Sequence, residues 1–261
     1  MNISLSDKTA IVCGSTQGIG LATAKTLAEQ GASCILLARN GEALKEIVDQ
    51  LPEPEEQTHK YYVADFSKPD EVKKIIDQIV SETTVHILIN NTGGPKAGPI
   101  TDAAEQEFTH AFQQHVVCNH ILTKAVVPGM KKAGYGRIIN VISTSVRIPL
   151  GNLGVSNTIR AAVASWSKTM ANELSQFGIT VNNILPGFTD TQRLQTLIEA
   201  NAKRRGVGTD IIEKEMKESV PMKRFGDASE IANVIAFIAS PAASFVSGVS
   251  IPVDGGKTGT V

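Results

Sequence analysis

Three cysteines in 261 residues, Cys13, Cys34 and Cys118, are odd in number and far apart. Such a set excludes a fully paired disulfide framework. Two of the three lie in apolar strand-like runs, where a thiol behaves as a small buried hydrophobe. An excess of charge is also missing, since 25 Lys and Arg stand against 26 Asp and Glu, a formal net charge of -1. That balance gives no electrostatic drive toward nucleic acid or an anionic membrane surface. No apolar run reaches the ~18 residues that a spanning helix needs. The opening stretch MNISLSDKTAIVCG meets charge before any apolar run and has no cleavage-site pattern, so no signal peptide and a cytoplasmic location are expected. Histidine is sparse, and His110, His115 and His120 follow one another at intervals of five. Each interval turns about 140° around a helix, so the three rings share no face and no metal site is expected.

What is present is a rhythm. Short apolar runs recur at 9–13 (TAIVC), 33–38 (SCILLA), 61–64 (YYVA), 86–90 (HILIN), 137–142 (RIINVI), 180–185 (TVNNIL) and 250–253 (SIPV). Amphipathic stretches such as GLATAKTLAEQG and DEVKKIIDQIVSE separate them. Alternating strand and helix predicts an α/β fold, a parallel sheet covered on both faces and doubly wound by right-handed crossovers. Residues 192–220 break the rhythm with a charged, helical insert after a strand end, which suits a lid. A single domain over 1–261 is expected, with the lid-like insert at about 190–220.

The first strand runs into CGSTQGIGLATAKTLAEQG, where Gly14, Gly18 and Gly20 stand at a strand-to-helix junction. Without side chains there, the backbone turns tightly and approaches a pyrophosphate at the positive end of the helix. Nineteen residues past Gly20 the second strand ends in LLARN. An acidic residue at this place takes a ribose 2′-hydroxyl, whereas Arg39 suits a 2′-phosphate. The cofactor expected is therefore NADP in preference to NAD.

With these motifs in hand, the sequence resembles a short-chain dehydrogenase/reductase over almost its whole length. CGSTQGIG matches that family's glycine turn, ADFS 64–67 its adenine-contacting stretch, NNTGG 90–94 its Asn-Asn-Ala-Gly segment, PGFTDT 186–191 its nicotinamide-holding loop, and VDGG 253–256 the segment with which many members close. The likeness is closest to the 3-oxoacyl-acyl-carrier-protein reductase-like branch. It implies a seven-stranded parallel sheet, a homotetramer or homodimer, and a small-molecule substrate. It also implies cofactor contacts by Gly14, Ser15, Gln17, Gly18, Ile19, Gly20, Asp65, Phe66, Asn91, Gly93, Pro186, Gly187 and Thr189, beside Arg39.

The catalytic set departs from the family pattern of Asn, Ser, Tyr and Lys. Ser143 falls on the serine position at the end of the fifth strand, but SNTIR places Ser156 on the tyrosine position and Arg160 on the lysine position, while His115 holds that of the asparagine. An aliphatic hydroxyl is far less acidic than a phenol of pKa ~10, and a guanidinium does not release its proton. Ser156 still donates a hydrogen bond, and Arg160 still binds a ribose or steadies an oxyanion. Three readings stand open: reduction of a carbonyl or activated alkene with water as proton source, proton supply through His115, or a dinucleotide-binding protein without turnover that acts as sensor or oligomer partner. The KRR run at 203–205 reads as a solvated turn or an anion attractor, and Leu194, Leu197 and Ile198 as core or substrate wall.

Overall fold

The computed structural model describes residues 1–55 and 57–260. Seven strands form one parallel sheet in the order β3-β2-β1-β4-β5-β6-β7. They are β1 (Thr9–Cys13), β2 (Ser33–Ala38), β3 (Lys60–Val63), β4 (Ile87–Asn90), β5 (Gly136–Val141), β6 (Ile179–Pro186) and β7 (Ser250–Val253). The expected runs are all present, three of them with unchanged ends and four with ends moved by one residue.

The alternation of side chains along each strand divides the core into two layers. Ala10 and Val12 of β1, Cys34 and Leu36 of β2, and Ile87 and Ile89 of β4 face α1 (Gly18–Glu29), α2 (Gly41–Val48) and the C-terminal helix at Ala228–Ala239. Ile11, Cys13, Ile35, Leu37 and Leu88 point the other way, onto α3 (Pro69–Glu82), α5 (Cys118–Ala133) and α6 (Gly154–Leu174). A strand buried on both faces reads as a continuous apolar run, which is why no polar alternation marks these segments. All three cysteines are buried and free.

One row of polar side chains crosses the sheet. Asn90 Nδ2 donates to Asn140 Oδ1 at 2.9 Å, Asn140 Nδ2 to Asn183 Oδ1 at 3.0 Å, and Asn183 Nδ2 to Ser250 Oγ at 3.1 Å. The ladder spans β4 to β7 near the strand ends and satisfies most of the amide groups that it buries, Asn90 Oδ1 having no partner among the described residues.

Short α4 (Glu105–Phe112) passes into α5 through a π-helical turn at Gln113–Val117, a local widening that occurs mostly at functional sites. After β6 come α7 (Gln192–Arg205) and α8 (Thr209–Glu218), which carry their own small core of Leu194, Ile198, Ala202, Ile212 and Phe225. The C-terminal helix is α9. Within the KRR run, Arg205 forms a two-pronged ion pair with Glu215, Nη2 to Oε1 at 2.9 Å, and Arg204 donates to Asn201. That run is thus a solvated, internally paired turn.

Candidate active site

β1 and β4 are neighbours, yet the chain leaves them toward opposite sides of the sheet, and a crevice opens at their C-terminal ends where the strand order reverses. It is a cleft of about 1020 Å³. Gly14, Gln17, Gly18 and Ile19 reach it from the first turn, Arg39 from the end of β2, Asp65 and Phe66 from beyond β3, and Asn91 and Gly93 from beyond β4. Ser143 follows β5, Ser156 and Arg160 come from α6, Pro186 ends β6, and Gly187 and Thr189 follow it. Elements distant in sequence meet because every parallel strand ends at the same edge.

The first turn fits a dinucleotide phosphate on its own geometry. Gly14 has φ +60°, and a Cβ there would lie 2.5 Å from the Asn91 carbonyl oxygen. A Cβ on Gly20 would overlap the Gly14 carbonyl oxygen, so Gly20 serves helix-to-turn packing and does not face the cleft. Asn91 holds the turn, its Nδ2 donating to the carbonyls of Cys13 (3.1 Å) and Gly14 (3.2 Å). Among the described residues no side chain caps the N-terminus of α1, and no acid sits in its first turn, which leaves backbone N–H groups for an anion. Ser15 is fully buried below the turn and Thr16 lines the cleft in its place.

Asp65 Oδ1 accepts from the Ser67 N–H at 2.9 Å and the Ser67 hydroxyl at 2.8 Å. Those bonds, and then nearby Arg39, hold its carboxyl below the usual carboxylate range. Arg39 itself is exposed at the cleft mouth, next to Asn40, which caps α2 by accepting from the Ala43 N–H.

At the opposite end, Ser143 caps the turn after β5 by accepting from the Ser145 N–H at 3.1 Å, which fixes its hydroxyl at the cleft wall. Arg160 is 8% exposed. Its Nη1 donates to the Val141 carbonyl at 2.9 Å and its Nη2 to the Thr92 carbonyl at 3.4 Å. Among the described residues no carboxylate pairs with it. Burial, and then the field of Arg193, push its pKa down to about 10.

His115 stands apart from the other candidates. It sits on the π-helical turn, 1% exposed, behind Thr92 and outside the cleft lining. Its Nδ1 lies 2.6 Å from Thr92 Oγ1, and its Nε2 has no hydrogen-bond partner among the described residues. Burial, followed by repulsion from Arg160, lowers its pKa to about 2. A ring so placed stands behind the cleft wall with Thr92 between it and the cleft, which is at odds with the expectation that it supplies a proton directly.

Several residues the motifs did not single out also line the cleft: Thr92, Gly94, Gln114 and Arg193. Arg193 carried a signal, since it opens the helix after PGFTDT, where a cation opposes the helix dipole. Leu194 and Leu197 touch the cleft while Ile198 turns into the satellite core, so both readings of that stripe hold in part. Among the described residues no cluster of metal-ligating side chains occurs, and no helix is long and apolar enough to cross a membrane.

Residues 14–258 match a family described as enoyl-(acyl carrier protein) reductase. The chain is 34% identical over 257 residues to the 3-oxoacyl-[acyl-carrier-protein] reductase FabG of Vibrio cholerae, covering 97% of this chain and 98% of that one. It is 31% identical over 255 residues to the NADPH-dependent reductase BacG of Bacillus subtilis, covering 97% and 98%. Among solved structures, the L-sorbose reductase of Gluconobacter frateurii complexed with NADPH and L-sorbose superposes with a TM-score of 0.93 at 31% identity, over 100% of both chains.

Proposed function

The chain belongs to the short-chain dehydrogenase/reductase family, and from that premise we propose that it is an NADPH-dependent reductase of small carbonyl compounds. One observation carries the reading: Ser143, Ser156 and a buried Arg160, with no carboxylate partner among the described residues, line the same cleft as the bare glycine turn. When bound, the dinucleotide supplies a hydride at its nicotinamide. Gly14, Gly18 and the first turn of α1 hold its pyrophosphate, Arg39 its 2′-phosphate, Asp65 and Phe66 its adenine, and Asn91, Gly93, Pro186, Gly187 and Thr189 its nicotinamide half. Ser143 and Ser156 donate hydrogen bonds to the acceptor oxygen. As the new C–H bond forms, the electron pair of the C=O π bond moves onto that oxygen, and the Arg160 cation stabilises it. A guanidinium titrating near 10 keeps its proton at neutral pH. The oxygen therefore takes its proton from water.

In this reading α7 and α8 form a lid, supported by Gln192, Arg193, Leu194, Thr196 and Leu197 on the cleft wall. The chain works as a cytoplasmic homotetramer or homodimer. Support for self-association is the fully exposed Phe245 and the exposed Val249 beside β7, the edge of the sheet.

The test is oxidation of NADPH against a panel of carbonyl and enone compounds. Turnover with at least one carbonyl compound is expected, and tight NADPH binding with no turnover across the panel would refute the proposal. Cofactor choice has its own check. Arg39→Glu weakens NADPH by on the order of tenfold or more while sparing NADH, because a bidentate cation–phosphate contact becomes a like-charge one. Nicotinamide fluorescence titration reads both affinities, and an equal loss for the two cofactors would remove Arg39 from the phosphate site.

A further inference from the structure

Gly94 separates two guanidinium groups. A Cβ built on it would lie 3.3 Å from Arg193 Nη2 and 3.7 Å from Arg160 Nη2, so the two nitrogens stand within about 7 Å of each other. Arg193 reaches this place by donating from Nη2 to the Pro95 carbonyl at 2.6 Å, as Arg160 does to Val141 and Thr92. Both line the cleft, one fully and one half-buried. Among the described residues neither has a carboxylate partner.

This arrangement opposes three ordinary preferences at once. Buried cations are normally paired, like charges normally separated, and cations kept out of the first turn of a helix. Burial holds both guanidinium groups below their usual pKa, and Arg193 adds to the effect on Arg160. A site that keeps two unpaired arginines side by side is built for an anion that arrives from outside. The phosphates of the dinucleotide are already provided for by the glycine turn and Arg39, at other places along the cleft. What remains is the end where Ser143 and Ser156 stand, with Leu150, Leu153 and Leu197 as an apolar wall.

We propose that the substrate is a small oxo acid whose carboxylate bridges Arg160 and Arg193 across Gly94, with its carbon chain against the leucines. A planar carboxylate offers two oxygens to two forks of donors. Because Arg160 also faces the reacting oxygen, the carbonyl lies close to the carboxylate, as in a 2-oxo or 3-oxo acid. This substrate class rests on the reductase reading above, whereas the anion site itself does not.

The experiment separates the two. Malonate and dimethyl malonate are titrated calorimetrically into the protein loaded with NADP⁺. Malonate binds and the diester does not, Arg193→Gln weakens malonate by on the order of tenfold or more, and Arg193→Lys recovers much of it. The NADPH affinity of Arg193→Gln, followed by fluorescence, stays within about twofold of the parent. Failure of malonate to bind the parent protein, or equal binding by parent and Arg193→Gln, overturns the proposal. So does loss of NADPH affinity with malonate binding intact, since the anion is then a cofactor phosphate. Turnover is measured on 2-oxo and 3-oxo acids against their methyl esters. A preference for the acid that disappears in Arg193→Gln supports the full proposal. An equal rate on the ester overturns the substrate class. Carboxylate binding without any turnover defeats the reductase reading and leaves the anion site standing.

Discussion

Replacing Arg160 by methionine lowers kcat/KM for carbonyl reduction by on the order of 10²–10³-fold, the usual loss when a preorganised charge facing a developing oxyanion is removed. Methionine fills a similar unbranched volume, so the change deletes charge and donors more than packing. The effect on stability runs differently. Two backbone carbonyls, of Val141 and Thr92, lose their donor, at about 1–3 kcal/mol each. Against that, a buried guanidinium with no acid among the described residues disappears, and its desolvation penalty is several kcal/mol. The two effects are of the same size and opposite sign, so the variant keeps about the parent's stability in urea while being far less active. Such a split is the signature of a residue retained for chemistry. A variant both unstable and active would show that Arg160 only ties the β4 and β5 loops together. The pH profile gives a second readout. With Arg160 near 10 and His115 near 2, neither titrates between about pH 5 and 9. The rate is flat across that window and falls as rising pH neutralises the guanidinium.

The second large effect is on acid stability, through His115. Its folded pKa is lowered from 6.5 to about 2, chiefly by burial. Below 6.5 the unfolded chain takes up a proton that the folded chain refuses, so stability is complete above pH 6.5 and drains away as pH falls toward 2. At pH 4 the gap corresponds to about 3 kcal/mol. His115→Asn removes the titrating ring and keeps an amide beside Thr92 Oγ1, which the imidazole Nδ1 approaches at 2.6 Å. Urea unfolding at pH 7 and pH 4 compares the two proteins. The parent loses about 3 kcal/mol more than His115→Asn between these conditions, because contributions from other groups cancel in the comparison. Equal losses would mean that the ring is hydrated and titrates normally.

These two expectations rest on different kinds of information. The strand-helix rhythm was readable because a parallel strand buried on both faces must be apolar at every position, and Ser33–Ala38 or Ile87–Asn90 can be little else. The glycine turn was readable because Gly14 and Gly20 leave no room for a side chain. Arg39 needed only its distance from that turn. These are local constraints, so the chain states them locally.

The catalytic end was legible in identity and illegible in arrangement. SNTIR announces that the phenol and the ammonium are gone, and with them the proton donor. Nothing in the linear chain says that His115, chemically the best replacement, sits behind Thr92 and outside the cleft wall, for its place depends on a π-helical turn packed against α6. Nor does it bring Arg193 to Arg160. They are 33 residues apart, on helices that follow different strands, and meet only because β5 and β6 end at the same edge of the sheet. Burial turns that meeting into chemistry. A guanidinium on the surface is screened and inert, whereas one held in a cleft without a counter-charge acts at full strength on whatever enters. Residue types, and hence the family and its missing acid, belong to the sequence. Which charges stand unpaired, and toward what they point, is a property of the folded chain alone.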